Sequence, residues 1–115
     1  MKKYFFLGMI SAATLVFANC HTSKQSTTTI PKLTYESDMK AVLTTNCSPC
    51  HYPEKGGNKK PFDNYANVKT EIDEMIRRIQ LNPTERGFMP FKRPKLSDST
   101  IAVFKQYRAD GVLER

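Results

Sequence analysis

Histidine and cysteine are scarce in this chain of 115 residues, which has two of the first and three of the second. That scarcity works against a closed zinc site, which needs four thiol or imidazole ligands. Outside positions 47–51 the only further candidates of the right type are Cys20 and His21, and both fall in a terminus read below as processed. Long apolar runs are also missing: beyond the first seventeen residues no stretch is long enough to span a bilayer. No segment alternates apolar and polar residues over the length of a strand, and no internal repeat appears. No nucleic-acid-binding motif accompanies the excess of basic residues.

What is present is concentrated in Cys47-Ser48-Pro49-Cys50-His51. C-x-x-C-H is the attachment signature of a c-type haem. Two thiols at that spacing can each bond one vinyl group of a single porphyrin, and the adjacent histidine then supplies an axial imidazole nitrogen to the iron. Haem iron either moves electrons or binds a small ligand. The competing reading is a thiol–disulfide couple, since Cys-Ser-Pro-Cys is similar to the Cys-Gly-Pro-Cys of thioredoxins. That fold requires a buried apolar strand before the pair and a helix starting on it. Here residues 35–46 have helical spacing, and His51 is followed by Pro53, Gly56 and Gly57, which suit a loop.

The N-terminus supplies a matching address. Met1-Lys2-Lys3 is a short basic start, and residues 4–17 are mostly apolar, the length of a signal-peptide core. The run ends in Val16-Phe17-Ala18-Asn19-Cys20, which resembles the cleavage box of bacterial lipoproteins. Cleavage before Cys20 would leave that thiol acylated and explain an unpaired cysteine in an exported protein; the alternative is an ordinary signal peptide cut near Ala18. The expected organisation is a signal peptide over residues 1–19, a lipidated Cys20 with a tether through residue 32, and one domain over 33–115. Six of residues 21–32 are Ser or Thr, and a flexible chain of that length reaches about 20 Å. Covalent c-haem is attached on the outer side of the bacterial inner membrane, so the motif and the export signal agree. The expected location is a bacterial membrane, on its periplasmic side.

Removing residues 1–19 takes away Lys2 and Lys3 and no acid, so the formal charge falls from +7 to +5. Two ionised haem propionates would bring it to about +3. Lys55, Lys59 and Lys60 follow the motif, and Lys92, Arg93 and Lys95 form a second cluster. Such clusters at an exposed cofactor edge would steer an acidic redox partner; the alternative is a solvated surface. About eighty residues follow the tether, a size with a small core that a covalent haem would staple.

The periodicity predicts helices around a loop-borne site. Tyr35, Met39, Val42 and Leu43 form one apolar stripe running into Cys47. A loop covers 52–61. Asp63 is expected to cap a short helix to about Val68, and Thr70 a longer one carrying Ile72, Met75, Ile76 and Ile79. Asn82-Pro83 ends it, and residues 83–96 are irregular. Ser97 or Asp98 caps the last helix, which turns Ile101, Phe104 and Tyr107 inward and stops at Gly111. The class is all-α.

On these residues the chain resembles the class I c-type cytochromes, in the small single-haem form of bacterial lipoproteins. The resemblance covers residues 35–113 and rests on Cys47-Ser48-Pro49-Cys50-His51, Gly56-Gly57, Met89-Pro90 and the helix from Leu96-Ser97 to Gly111. It implies about three main helices packed around one covalent haem, Cys47 and Cys50 as thioether residues, His51 as proximal ligand and Met89 as distal ligand. It also places Leu43 and Tyr107 near a crossing of the first and last helices. Tyr107 stands where relatives often have tryptophan, which leaves a hydroxyl needing a partner.

The residues themselves bear on the sixth ligand. Met39 and Met75 lie on helical stripes, where methionine ordinarily fills the core. Met89 lies in a loop between Gly87 and Pro90, which suits a cofactor contact; its alternative role is to fill a gap beside Phe88 and Phe91. His51/Met89 ligation leaves no open position and implies an electron carrier rather than an enzyme. An unbound Met89 implies peroxidase-like chemistry or small-ligand sensing. For that, no distal histidine is at hand, and nothing singles out one of Arg77, Arg78, Arg86 or Arg93.

Overall fold

A computed structural model describes residues 29–115. Cys20, His21 and the expected signal peptide lie outside the described residues, as does most of the expected tether.

The chain enters its first helix through a π-helical turn, Tyr35–Met39, that continues without a break into α1 (Lys40–Cys47). Thr34 caps it: its Oγ1 accepts from Ser37 N at 3.2 Å, while the Asp38 carboxylate reaches back to Thr34 N at 2.8 Å. This is a capping box with the acid one residue late, because the wider turn inserts a residue before the α-helical pattern starts. Tyr35, Met39 and Leu43 point inward and are buried.

The second helix, α2 (Tyr65–Gln80), is one element where the sequence predicted two. Its cap is Asn64, whose side chain accepts from Asn67 N at 3.0 Å. Neither expected cap serves: the Asp63 carboxylate accepts from Asn64 Nδ2, and Thr70 lies inside the helix with its hydroxyl donating to Asn67 O at 2.9 Å. A threonine bonded back to the preceding turn is compatible with a helix interior, so its capping chemistry misleads there. Val68, Ile72, Met75, Ile76 and Ile79 form the buried face.

The last helix, α3 (Asp98–Ala109), is capped by Ser97, whose Oγ accepts from Thr100 N at 3.2 Å. Ile101, Phe104 and Tyr107 are buried along it. It closes in a Schellman arrangement: Val112 N donates to Tyr107 O, Gly111 N donates to Arg108 O, and Gly111 takes φ +101°. Among the described residues there is no strand, only an isolated parallel bridge between Thr34 and Leu113. The all-α class is therefore observed.

That bridge joins the two ends of the domain. Tyr35 N donates to Leu113 O at 2.8 Å, Glu36 N to Glu114 O at 3.1 Å, and Leu33 N to the Asp110 carboxylate at 2.8 Å. Two tyrosine hydroxyls finish on the same segment, half-buried Tyr65 on Val112 O and buried Tyr107 on Leu113 O, at 2.9 and 3.1 Å. The Tyr107 hydroxyl thus finds its partner locally. Tyr35 does not: its hydroxyl is buried without a hydrogen-bond partner among the described residues, and burial, with Tyr52 nearby, pushes its pKa up to about 12.

Removing the hydroxyl should act in opposite directions at these two tyrosines. Tyr107→Phe is expected to cost about 1 kcal/mol, because it deletes a made hydrogen bond. Tyr35→Phe is expected to be neutral or to stabilise by up to about 1 kcal/mol, because it deletes a buried group with no bond to lose. Urea denaturation of both variants beside the parent protein checks the two signs.

Candidate functional site

Cys47 is the last residue of α1, and the chain leaves the helix at Ser48 in an extended conformation. The motif that follows is held by backbone hydrogen bonds: His51 N donates to Cys47 O at 3.1 Å and Tyr52 N to Pro49 O at 2.9 Å. The loop after it then folds back over the motif. Gly57 N donates to Tyr52 O, Lys59 N to Cys50 O, and Phe62 N to His51 O, all within 3.0 Å. Gly57 passes so close that a Cβ there would overlap the Pro49 carbonyl oxygen and lie 2.5 Å from the Cys50 oxygen. Its neighbour Gly56 takes φ +79° with open space around it. Of the Gly56-Gly57 pair, one residue supplies a left-handed turn and the other a close approach.

His51 is fixed from two sides. Its ring stacks on Phe62 with centroids 4.1 Å apart and planes within 4°. Its Nδ1 lies 2.7 Å from the Lys60 carbonyl oxygen. A carbonyl only accepts, so Nδ1 carries a proton, and in the neutral ring this leaves the lone pair on Nε2. That is the arrangement in which an imidazole is ready to coordinate a metal through Nε2, with its orientation set by the bond on the opposite nitrogen.

Cys47, Cys50, His51 and Met89 line a single cleft of about 1030 Å³. That volume is at the upper end of the range for cofactor sites, about 300–1,000 Å³. Phe62, Ile79, Leu96 and Phe104 give it apolar walls, while Lys59, Lys60, Glu71, Glu74, Arg78 and Arg93 supply its polar boundary. Among the described residues no three His, Cys, Asp or Glu side chains gather around a point where an ion would sit. The two thiols and the imidazole are instead distributed along the cleft, which suits a large group lying against all of them. Met75 also lines it, so two methionines face the cleft, while Met39 is buried in the core away from it. Met89 is half-buried, and its N donates to Arg78 O at 3.3 Å, which ties the loop to α2.

The cysteines differ. Cys50 is exposed, whereas burial pushes the Cys47 thiol up to about 11, with the Arg93 charge offsetting only part of the effect. Cys47 also sits at the negative end of the α1 dipole, which disfavours a thiolate. An activated redox thiol has the opposite setting, at a helix N-terminus with a lowered pKa.

The basic clusters are partly engaged. Lys55 Nζ lies 5.4 Å from the Tyr52 ring centroid, Arg93 Nη1 donates to Asn46 O at 3.1 Å, and Lys95 Nζ donates to Gln80 O at 2.9 Å. Lys92 Nζ lies over Phe91, which is 67 % exposed and lines the cleft. Of the arginines weighed for a distal pocket, Arg78 and Arg93 line the cleft, and Arg77 and Arg78 both bond Glu74. A second, shallower groove of about 370 Å³ lies between α1 and α3 and is lined by Ala41, Val42, Thr45, Asn46, Ser99, Thr100 and Val103. It offers no titratable side chain.

Sequence reasoning missed the Lys60 carbonyl, the stacking of Phe62 and the close approach at Gly57. The Gly-Gly pair was the available signal for the last, but it marks a loop without saying what the loop must clear.

Two outcomes follow. Gly57→Ala is expected to destabilise by about 2 kcal/mol or more, since backbone rather than a flexible side chain must move. Gly56→Ala should cost about 1 kcal/mol from its left-handed backbone alone. Thermal melts of the two variants distinguish them. In the chain with free thiols at about pH 8, only about a thousandth of Cys47 is thiolate. Iodoacetamide followed by peptide mass mapping should therefore label exposed Cys50 well before Cys47. No protein-family model, curated protein or solved structure matches the chain.

Proposed function

We propose that this protein is a membrane-anchored, single-haem electron carrier of the c-type cytochrome kind, working outside the cytoplasmic membrane and held there by lipid on Cys20. The observation that carries the reading is the cleft with Cys47, Cys50, His51 and Met89 all on its walls. A bound haem would supply a one-electron ferric/ferrous couple. The chain's own residues do the rest. Cys47 and Cys50 hold the group covalently through thioethers. His51 presents Nε2 as the proximal donor, with its tautomer set by the Lys60 carbonyl. Met89 would supply a second ligand, its thioether sulfur, which would leave no position for peroxide or a gas. The apolar walls of the cleft would keep water from the bound group, and ligands retained in both redox states would leave little rearrangement to accompany electron exchange.

The partners fit the charge. Lys59, Lys92 and Arg93 lie at or beside the cleft, next to exposed Phe91. Redox proteins with acidic docking surfaces are the proposed donor and acceptor, and their encounter would slow as salt rises.

The test is the optical spectrum of protein matured with the c-haem attachment machinery, for the parent, Met89→Ala and Met75→Ala. The expected result is a low-spin parent with the weak sulfur-to-iron charge-transfer band, lost in Met89→Ala and kept in Met75→Ala. Loss of the band only in Met75→Ala would transfer the distal role to α2. A high-spin parent, unchanged by either substitution, would sink the carrier reading in favour of ligand binding or catalysis.

A further inference from the structure

The residue whose carbonyl orients His51 is also anchored by its side chain. Lys60 Nζ pairs with the Glu71 carboxylate on α2. Among the described ion pairs this one has the most buried acid: the Glu71 side chain is 19 % exposed, against 40–71 % for the carboxylates of the others. Lys40–Glu36, Arg77–Glu74 and Arg78–Glu74 each lie three or four residues apart in sequence, and so stay within one stretch of helix. Lys60–Glu71 instead ties the loop over the motif to a separate helix, and both partners line the cleft.

Two turns further along α2, the Arg78 carbonyl accepts from Met89 N. Residues seven apart return to nearly the same helix face, about 10 Å along the axis. One face of α2 thus holds both sides of the cleft, reaching the His51 side through Lys60 and the Met89 side through Arg78.

We infer that Glu71 and Lys60 form a positioning pair for His51, with Glu71 holding Lys60 so that its carbonyl stays on Nδ1. The inference rests on the reading of His51 as the proximal ligand. A loop carbonyl on an exposed turn could otherwise swing away, releasing the ring to rotate about its stacking contact with Phe62. The bridge adds a constraint from outside the loop, whose own backbone bonds are made on either side of the Lys60 carbonyl, at Lys59 N and Phe62 N.

The experiment uses the haem-loaded, reduced protein and follows solvent exchange of the His51 Nδ1 proton by NMR, with the amides of Leu43 and Phe104 as an internal reference. Glu71→Gln and Lys60→Met are each expected to speed Nδ1 exchange about fivefold. The double variant should be no faster than either single, because both remove the same link. Lys60→Arg, which keeps the charge and can reach Glu71, should restore the parent rate. Unchanged Nδ1 exchange in both single variants overturns the inference. So does equal acceleration at Leu43 and Phe104, which would mark a general loss of stability. Mass measurement separates the two layers of argument. A chain that takes up no haem defeats the functional reading and the pair with it, while a loaded chain whose Nδ1 exchange is unchanged in both single variants defeats the pair alone.

Discussion

The arrangement rests on a backbone problem at residues 47–62. A helix ends at Cys47, and residues 48–51, which complete the site's motif, have no regular structure of their own, so their carbonyl groups need partners from elsewhere. The loop that follows provides them, with Lys59 N on Cys50 O and Phe62 N on His51 O. That loop can lie close enough only because Gly57 has no side chain to collide with Pro49 and Cys50. The position of His51 is therefore a consequence of backbone packing, with its ring clamped between Phe62 and the Lys60 carbonyl.

A second constraint comes from size. A domain of this length buries too little apolar surface to be generous with loose ends, and its two ends are tied together at Thr34 and Leu113. The C-terminal segment satisfies the Tyr65 and Tyr107 hydroxyls as well as two backbone amides of the entering turn. Tyrosines can thus occupy the core without stranding their polar ends, Tyr35 excepted. α2 and α3 pack together and carry the largest share of the buried aliphatic side chains, and both contribute to the cleft through Met75, Ile79 and Phe104.

What could be read from the sequence was whatever is written in neighbouring residues. The cap at Ser97, the stop at Gly111 and the stripes Tyr35-Met39-Leu43 and Ile72-Met75-Ile76-Ile79 depend on contacts within a turn or two, and each is found where spacing placed it. The break expected between Val68 and Thr70 is absent because two good capping residues, Asp63 and Thr70, lost to Asn64, a competition settled by geometry rather than residue type. Of the site, Cys47, Cys50 and His51 are contiguous and so legible, and Met89 is brought to the same cleft from some forty residues away. Met75 shows where local reasoning stops. A stripe position implies core, and Met75 is buried, yet the core at that point is also the cleft wall. The Lys60 carbonyl and Glu71 left no local signature, since a backbone oxygen has no letter and an acid on a helix reads as a solvated face.

The two proposed ligands of the iron reach the cleft by different means, and this bears on how a carrier would work. His51 is fixed by a stacked ring and a 2.7 Å hydrogen bond. Met89 is carried on an irregular segment whose own backbone meets α2 at 3.3 Å, with further ties only through the Arg93 and Lys95 side chains. On the proposed reading the imidazole side is preorganised by the polypeptide, and the thioether side depends more on the bond it makes to the metal. Any change of ligation should then begin at Met89, the less constrained side, while His51 and the two thioethers stay in place. Fast electron exchange requires that both sides hold still through a change of one charge. An unbranched thioether suits the looser side, because its rotatable bonds let the sulfur hold its place when the backbone shifts slightly. The asymmetry follows from the fold: the proximal side is built from contiguous residues under a close-packed loop, and the distal side must be delivered by a segment with no helix of its own.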